Sequence, residues 1–116
     1  MFDADYRESA PTREEIDAMP GALVLEFGTG WCGHCQAATP LIRAALAGVE
    51  GVTHLRVEDG RGRPLGRAFA VKLWPTLVLM QDGREVARVV RPTRADDLQT
   101  ALGLLGVAAA DRSGLG

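Results

Sequence analysis

Trp31-Cys32-Gly33-His34-Cys35 holds both cysteines of the chain. Ala22-Leu23-Val24-Leu25-Glu26-Phe27 leads in, a nearly continuous apolar run bounded by glycines that reads as a buried central strand. A helical pattern leads out. Ala37, Leu41 and Ala45, with Ala38, Ile42 and Leu46, repeat at i, i+4 and make one apolar face, and Pro40 inside the helix should kink it. Two cysteines three apart at a strand-to-helix junction are a redox geometry. Cys32 falls at the helix N-terminus, where unpaired amides and the dipole favour thiolate over thiol. The thiolate is the attacking species in thiol-disulfide exchange. Cys35 lies one turn further on, close enough to bond to it, because a disulfide wants Cα atoms about 5.5 Å apart. Cys32 can therefore attack a substrate disulfide, and Cys35 can resolve the mixed disulfide.

Other uses of two cysteines fit less well. A structural zinc site usually needs four ligands. The nearest further candidates are His34, which points elsewhere from the helix start, and the distant His54. Covalent c-type haem needs Cys-x-x-Cys-His, and Gln36 occupies the last position. A purely structural pair would more often be buried and scattered. The expectation is therefore no metal and no bound cofactor, with the electrons residing in the dithiol.

Outward from this stretch the chain alternates strands and helices. Phe2, Ala4 and Tyr6 alternate with polar residues and suggest a weak edge strand. Thr12 and Glu15 have capping-box spacing, with Ile16 and Met19 as the apolar face of a short helix ended by Pro20-Gly21. Val52 to Val57 reads as a strand, and Pro64 to about Ala70 as a short helix. Thr76 to Met80 and Arg84 to Arg91 flank Asp82-Gly83, a strong two-residue hairpin signal. Val86 and Val90 fall on one face of the second of these strands, Ala87 and Val89 near the other. Thr93 with Asp96 and Asp97 opens a last helix that buries Leu98, Ala101, Leu102 and Leu105 and ends at Gly106. The whole reads as an α/β protein, a mixed sheet of four or five strands with helices on both faces. One domain over residues 1–106 is expected, with a mobile tail over 107–116.

Composition narrows the function classes. The chain has 116 residues, 47% hydrophobic and 24% charged, enough apolar material for a core. With a net charge of -2 and no basic run, nothing suggests nucleic-acid binding. Two cysteines cannot staple a secreted miniprotein. The N-terminus lacks a signal-peptide pattern, and no apolar run approaches the roughly 20 residues that span a bilayer. The expectation is a cytoplasmic monomer with no membrane partner.

Trp31-Cys32-Gly33-His34-Cys35 and Trp74-Pro75-Thr76 together resemble the two hallmark sites of the thioredoxin family. The resemblance covers roughly Ala22 to Leu105 and extends to Pro40, the Asp82-Gly83 hairpin and the C-terminal helix. It implies a thioredoxin fold and a thiol-disulfide oxidoreductase that exchanges the Cys32-Cys35 pair with protein disulfides, mainly as a reductase recharged by a thioredoxin-reductase-type donor. A binding or redox-sensing module without turnover is one alternative, and an oxidant or isomerase of an oxidising compartment another. By resemblance Cys32 is the exposed nucleophile and Cys35 the buried resolving cysteine. Pro75 matches a proline that is cis in the family and leaves the backbone of Trp74 free to pair with an extended substrate. Trp31 is the flanking aromatic, and Gly33, His34 and Trp74 join it in contacting substrate.

Four features set this sequence apart. Glu26 matches a buried carboxylate, usually aspartate. It reads either as a proton acceptor for Cys35 with a raised pKa or as a simple partner of Arg56 on the next strand. His34 stands where thioredoxins usually carry proline. The Gly33-His34 pair resembles protein disulfide isomerases, whose potential lies roughly 90 mV higher. Gly28-Thr29-Gly30 should make a looser loop than the family's tryptophan and alanine there. Arg91-Pro92 adds bulk and positive charge where a small glycine loop usually lines the groove. His54 has no evident partner and reads as an ordinary strand residue.

Overall fold

The computed structural model describes residues 5–105. Phe2, Ala4 and the tail over 107–116 lie outside the described residues. Four strands, β1 (Ala22–Gly28), β2 (Val52–Glu58), β3 (Thr76–Gln81) and β4 (Arg84–Val90), form one sheet in the order β2-β1-β3-β4. β1 runs parallel to β2 and antiparallel to β3, and β3 runs antiparallel to β4. The fold is therefore the expected thioredoxin arrangement, with four strands. Among the described residues, the N-terminal segment joins the sheet through a parallel bridge, Arg7 to Val57. The Arg7 amide bonds the Arg56 carbonyl and the Glu58 amide bonds the Arg7 carbonyl, which seats Tyr6 at the edge of the sheet.

Helix α2 (Gly33–Leu46) makes the crossover that the parallel β1-β2 pair requires. It packs with α4 (Ala95–Leu102) on one face of the sheet, where Val24, Ile42, Leu46, Leu79 and Leu98 share a core. α1 (Arg13–Asp17) and α3 (Pro64–Ala68) cover the other face through Ile16, Leu65 and Phe69, set on Leu25, Phe27 and Val78. Each such side chain removed from water contributes roughly 1.5–3 kcal/mol. The Thr12–Glu15 capping box forms in both directions. The hairpin has positive φ at both Asp82 and Gly83, the pattern of a type I′ turn. On β4, Val86 and Val90 are exposed while Ala87 and Val89 pack against the core.

α4 ends at Leu102, with Gly103 as its C-cap, earlier than the periodicity predicts, yet Leu105 is still fully buried. Periodicity read its burial correctly and its conformation wrongly, because a side chain can return to the core after the helix has stopped. The alternation along β1 positions the site. Leu23, Leu25 and Phe27 face α1 and α3, so Glu26 falls on the α2 face with Ala22 and Val24. By the same alternation His54 and Arg56 share the face of Val52 on β2, beside Glu26 in the parallel register.

Candidate active site

Cys32 is the N-cap of α2, and its sulfur accepts the Cys35 amide at 3.4 Å. Only 9% of Cys32 is exposed and 1% of Cys35. Both thiols are free. Burial pushes the Cys32 thiol up, but the amides of Cys35 and His34, the Cys35 thiol and the nearby Arg91 guanidinium outweigh it, and the net shift is downward. Burial pushes Cys35 up to about 11, against the pull of the Thr29 amide on its sulfur. Cys32, expected as the exposed nucleophile, is thus buried, yet the two cysteines are electrostatically distinct: Cys32 is inclined to thiolate and Cys35 is held as thiol. Gly33 and His34 are exposed on the first turn.

Around this pair lie the groove residues. Trp31 is 72% exposed and meets Trp74 edge to face, with ring centroids 5.8 Å apart. Trp74 is half-buried, and its indole N–H donates to Asp59 at 2.8 Å. The Trp74-Pro75 bond is cis. Arg91 corrects one expectation. Its backbone has a positive φ of 49°, its amide bonds the Pro75 carbonyl, and its Nε donates to the Trp74 carbonyl at 2.8 Å. That carbonyl is therefore engaged by Arg91 and is not left open to an incoming strand, because the chain after β4 returns beside Pro75 and carries Arg91 within reach of it.

Beneath Cys35 the structure corrects two further expectations. His54 is a ligand of Glu26: its Nε2 lies 2.8 Å from Oε1, and both side chains are fully buried. Arg56 donates to Oε2 at 3.0 Å, and the Tyr6 hydroxyl donates to the same oxygen. Arg56 also donates to Thr39 Oγ1, whose hydroxyl donates to the Cys35 carbonyl, tying β2 to α2. Glu26 thus has the Arg56 partner anticipated for it, and two more. The loop at 28–30 is not loose either: Gly28 and Thr29 are buried. A Cβ on Gly28 would fall 2.6 Å from the Cys35 sulfur and 2.7 Å from the Tyr6 hydroxyl, so the missing side chain makes room for both. The alternation shared by residues 54 and 56 could have flagged His54. No local signal could have flagged Tyr6, which arrives from the far end of the chain. Among the described residues no three His, Cys, Asp or Glu side chains cluster to hold a metal ion.

The thioredoxin family model matches residues 8–103. The chain belongs to the thioredoxin family. The match is reinforced by a thioredoxin of Chlamydia trachomatis, 38% identical over 67% of this chain and 76% of that protein. Protein disulfide-isomerase A3 of Gallus gallus is 30% identical over 88% of this chain, but the aligned part is only 19% of that longer protein. Thioredoxin 2 from Pseudomonas aeruginosa PAO1, solved in its reduced form, is 54% identical and superposes with a TM-score of 0.80, covering 88% of this chain and 94% of that one. As a member of the thioredoxin family the chain is a protein-disulfide oxidoreductase acting on disulfide substrates. Among the described residues no helix is long and apolar enough to cross a membrane.

Proposed function

We propose that Cys32 attacks a disulfide in a protein substrate, that Cys35 resolves the mixed disulfide, and that Glu26 takes up the proton Cys35 sheds. The observation that supports the assignment is the unequal electrostatics of the two cysteines: Cys32 caps α2 and is shifted toward thiolate, while burial keeps Cys35 a thiol. In the first step the Cys32 sulfur bonds to one substrate sulfur and the other departs as thiolate. In the second the Cys35 sulfur bonds to Cys32 and releases the remaining substrate thiol, so the substrate gains two electrons and the protein loses them. Trp31, Gly33, His34, Trp74, Pro75 and Arg91 form the docking surface. Net flow is reductive in a cytoplasmic setting, with a thioredoxin-reductase-type donor restoring the dithiol. The protein acts as a monomer built on one domain over residues 1–106. Turnover of insulin disulfides with a dithiol reductant tests this. Reduction above the reductant's own rate, abolished by Cys32→Ser, is expected, and no turnover would leave a binding or sensing module.

His34 favours a more oxidising member of the family. It sits exposed at the helix start beside Cys32, and its amide helps to lower that thiol. Stabilising the thiolate stabilises the reduced form and raises the potential. His34→Pro is expected to lower the potential by tens of millivolts, on the order of the 90 mV that separates isomerase from thioredoxin. Equal potentials would make His34 a bystander.

A further inference from the structure

Resolution has a proton problem. Cys35 must lose its proton to attack, yet it is buried, and burial holds it as a thiol up to about pH 11. The groups that act on its sulfur are the Thr29 amide, Cys32 and the Tyr6 hydroxyl. Neither the Thr29 amide nor a Cys32 already joined to substrate can accept a proton. The Tyr6 hydroxyl donates to Glu26 Oε2, and its oxygen and the Cys35 sulfur both border the space a Gly28 Cβ would fill, 2.7 Å and 2.6 Å from it, so the phenol oxygen lies beside the thiol and against the carboxylate. Gly28 leaves the space in which these atoms meet. The ring is itself held: the Arg56 guanidinium lies over it with Cζ 4.0 Å from the centroid, and the Arg7 bridge fixes the backbone next to it.

We propose that Tyr6 is the proton relay of the resolving step, carrying the Cys35 proton to Glu26. As the Cys35 sulfur forms its bond to Cys32, the bond from Cys32 to the substrate sulfur breaks and that sulfur leaves with the electron pair. The Cys35 proton passes to the Tyr6 oxygen while the phenolic proton passes to Glu26 Oε2, so Tyr6 begins and ends neutral. Free phenolate is never formed. Burial and the adjacent Glu26 carboxylate push the Tyr6 hydroxyl far above its ordinary value, which makes it a poor place to leave a charge and a good place to pass a proton through. Arg56 at 3.0 Å on the same oxygen and His54 at 2.8 Å on the other hold the Glu26 carboxyl in place. A surface pocket of about 320 Å³, whose lining includes Asp5, Tyr6, Cys35, Gln36, Thr39 and Arg56, opens beside the Tyr6 end of the relay, while Glu26 stays fully buried behind it. The relay rests on the reading of Glu26 as the proton acceptor, and the test separates the two.

Reduced protein mixed with excess Ellman's reagent reports both steps. The first thionitrobenzoate is released by Cys32 and the second by Cys35. Tyr6→Phe keeps the ring over Arg56 and removes only the hydroxyl. It is expected to slow the second release by about 100-fold, at the low end of general acid–base contributions, while the first keeps its rate. The slowed release should become steeply pH-dependent, rising toward the Cys35 value of about 11. Glu26→Gln should slow the same step, and the double variant should be no slower than the slower single one. If Glu26→Gln slows the second release and Tyr6→Phe does not, the relay is overturned and Glu26 remains the acceptor by another route. If Glu26→Gln has no effect, the acceptor reading falls and the relay falls with it. Equal slowing of both releases by Tyr6→Phe marks a structural role and overturns the relay. The unaltered protein offers a test independent of folding defects: in mixtures of light and heavy water, two protons in flight give a bowed rate plot for the second release, and a straight line overturns the relay.

Discussion

Glu26 holds its carboxylate at the centre of the sheet with three donors converging on it from β2 and the N-terminal segment. A buried charge tolerates the loss of a partner poorly, because the remaining group keeps its desolvation cost and loses its compensation. Arg56→Met is expected to destabilise the protein by about 3–5 kcal/mol, read from the urea midpoint, although its chain would fill the same space. Arg91 acts at the surface instead. Its guanidinium both engages the Trp74 carbonyl and draws the Cys32 thiol down. Arg91→Ala should raise the pH at which Cys32 reaches half its maximal alkylation rate by iodoacetamide, because the thiolate loses a nearby cation. It should also release the carbonyl to an extended substrate. An unchanged alkylation profile would remove Arg91 from the electrostatics of the site.

At the scale of elements, two junctions set the geometry. The first is the end of β1 and the start of α2, where Gly28 admits the Cys35 sulfur and Cys32 caps the helix. The second is the β3-β4 hairpin, which brings Arg91 back beside Pro75. Its turn also clasps the loop before β1: the Asp82 carboxylate accepts the Gly21 amide at 2.7 Å, and Gly83 lies against the Asp17 backbone. Gly83 has a φ of 80°, and a Cβ there would collide with the Asp17 carbonyl. Gly83→Ala is therefore expected to cost about 1–3 kcal/mol through strain and displacement together, measured by chemical denaturation. These elements were legible in the sequence because each follows from local chemistry: the capping box, the apolar run of β1, the Asp-Gly turn. Of the N-terminal edge strand, Phe2 and Ala4 lie outside the described residues, and the described part pairs with the sheet through the Arg7–Val57 bridge.

For the whole molecule, the redox state and pH are linked. Cys35 has a folded value of about 11 against an ordinary 9.0. The folded state thus prefers the thiol, so this contribution to stability is complete below pH 9 and is lost as pH rises toward 11. The lowered Cys32 contributes a slope of the opposite sign that fades as its unfolded thiol finishes ionising above 9, so the loss toward pH 11 belongs to Cys35. The reduced protein should lose stability between pH 9 and 11 faster than the oxidised protein, in which Tyr6 still titrates and the cysteines do not. Parallel urea midpoints for the two forms would show that Cys35 is not held as a thiol by the fold.

The sequence by itself determined the sheet-and-helix order, the redox pair at a helix start, and the meeting of Trp74-Pro75 with that pair through family resemblance. Periodicity, caps and turns act over a few residues, so they can be read along the chain. Beyond the Arg56 partner, tertiary structure alone decided the environment of Glu26 and the use of Arg91. Tyr6, Glu26, His54 and Arg56 come from distant segments, and only the β1-β2 register and the N-terminal bridge bring them into hydrogen-bonding range. Proton affinity depends on burial and on neighbours within a few ångströms, and these exist only once the sheet has closed around the carboxylate.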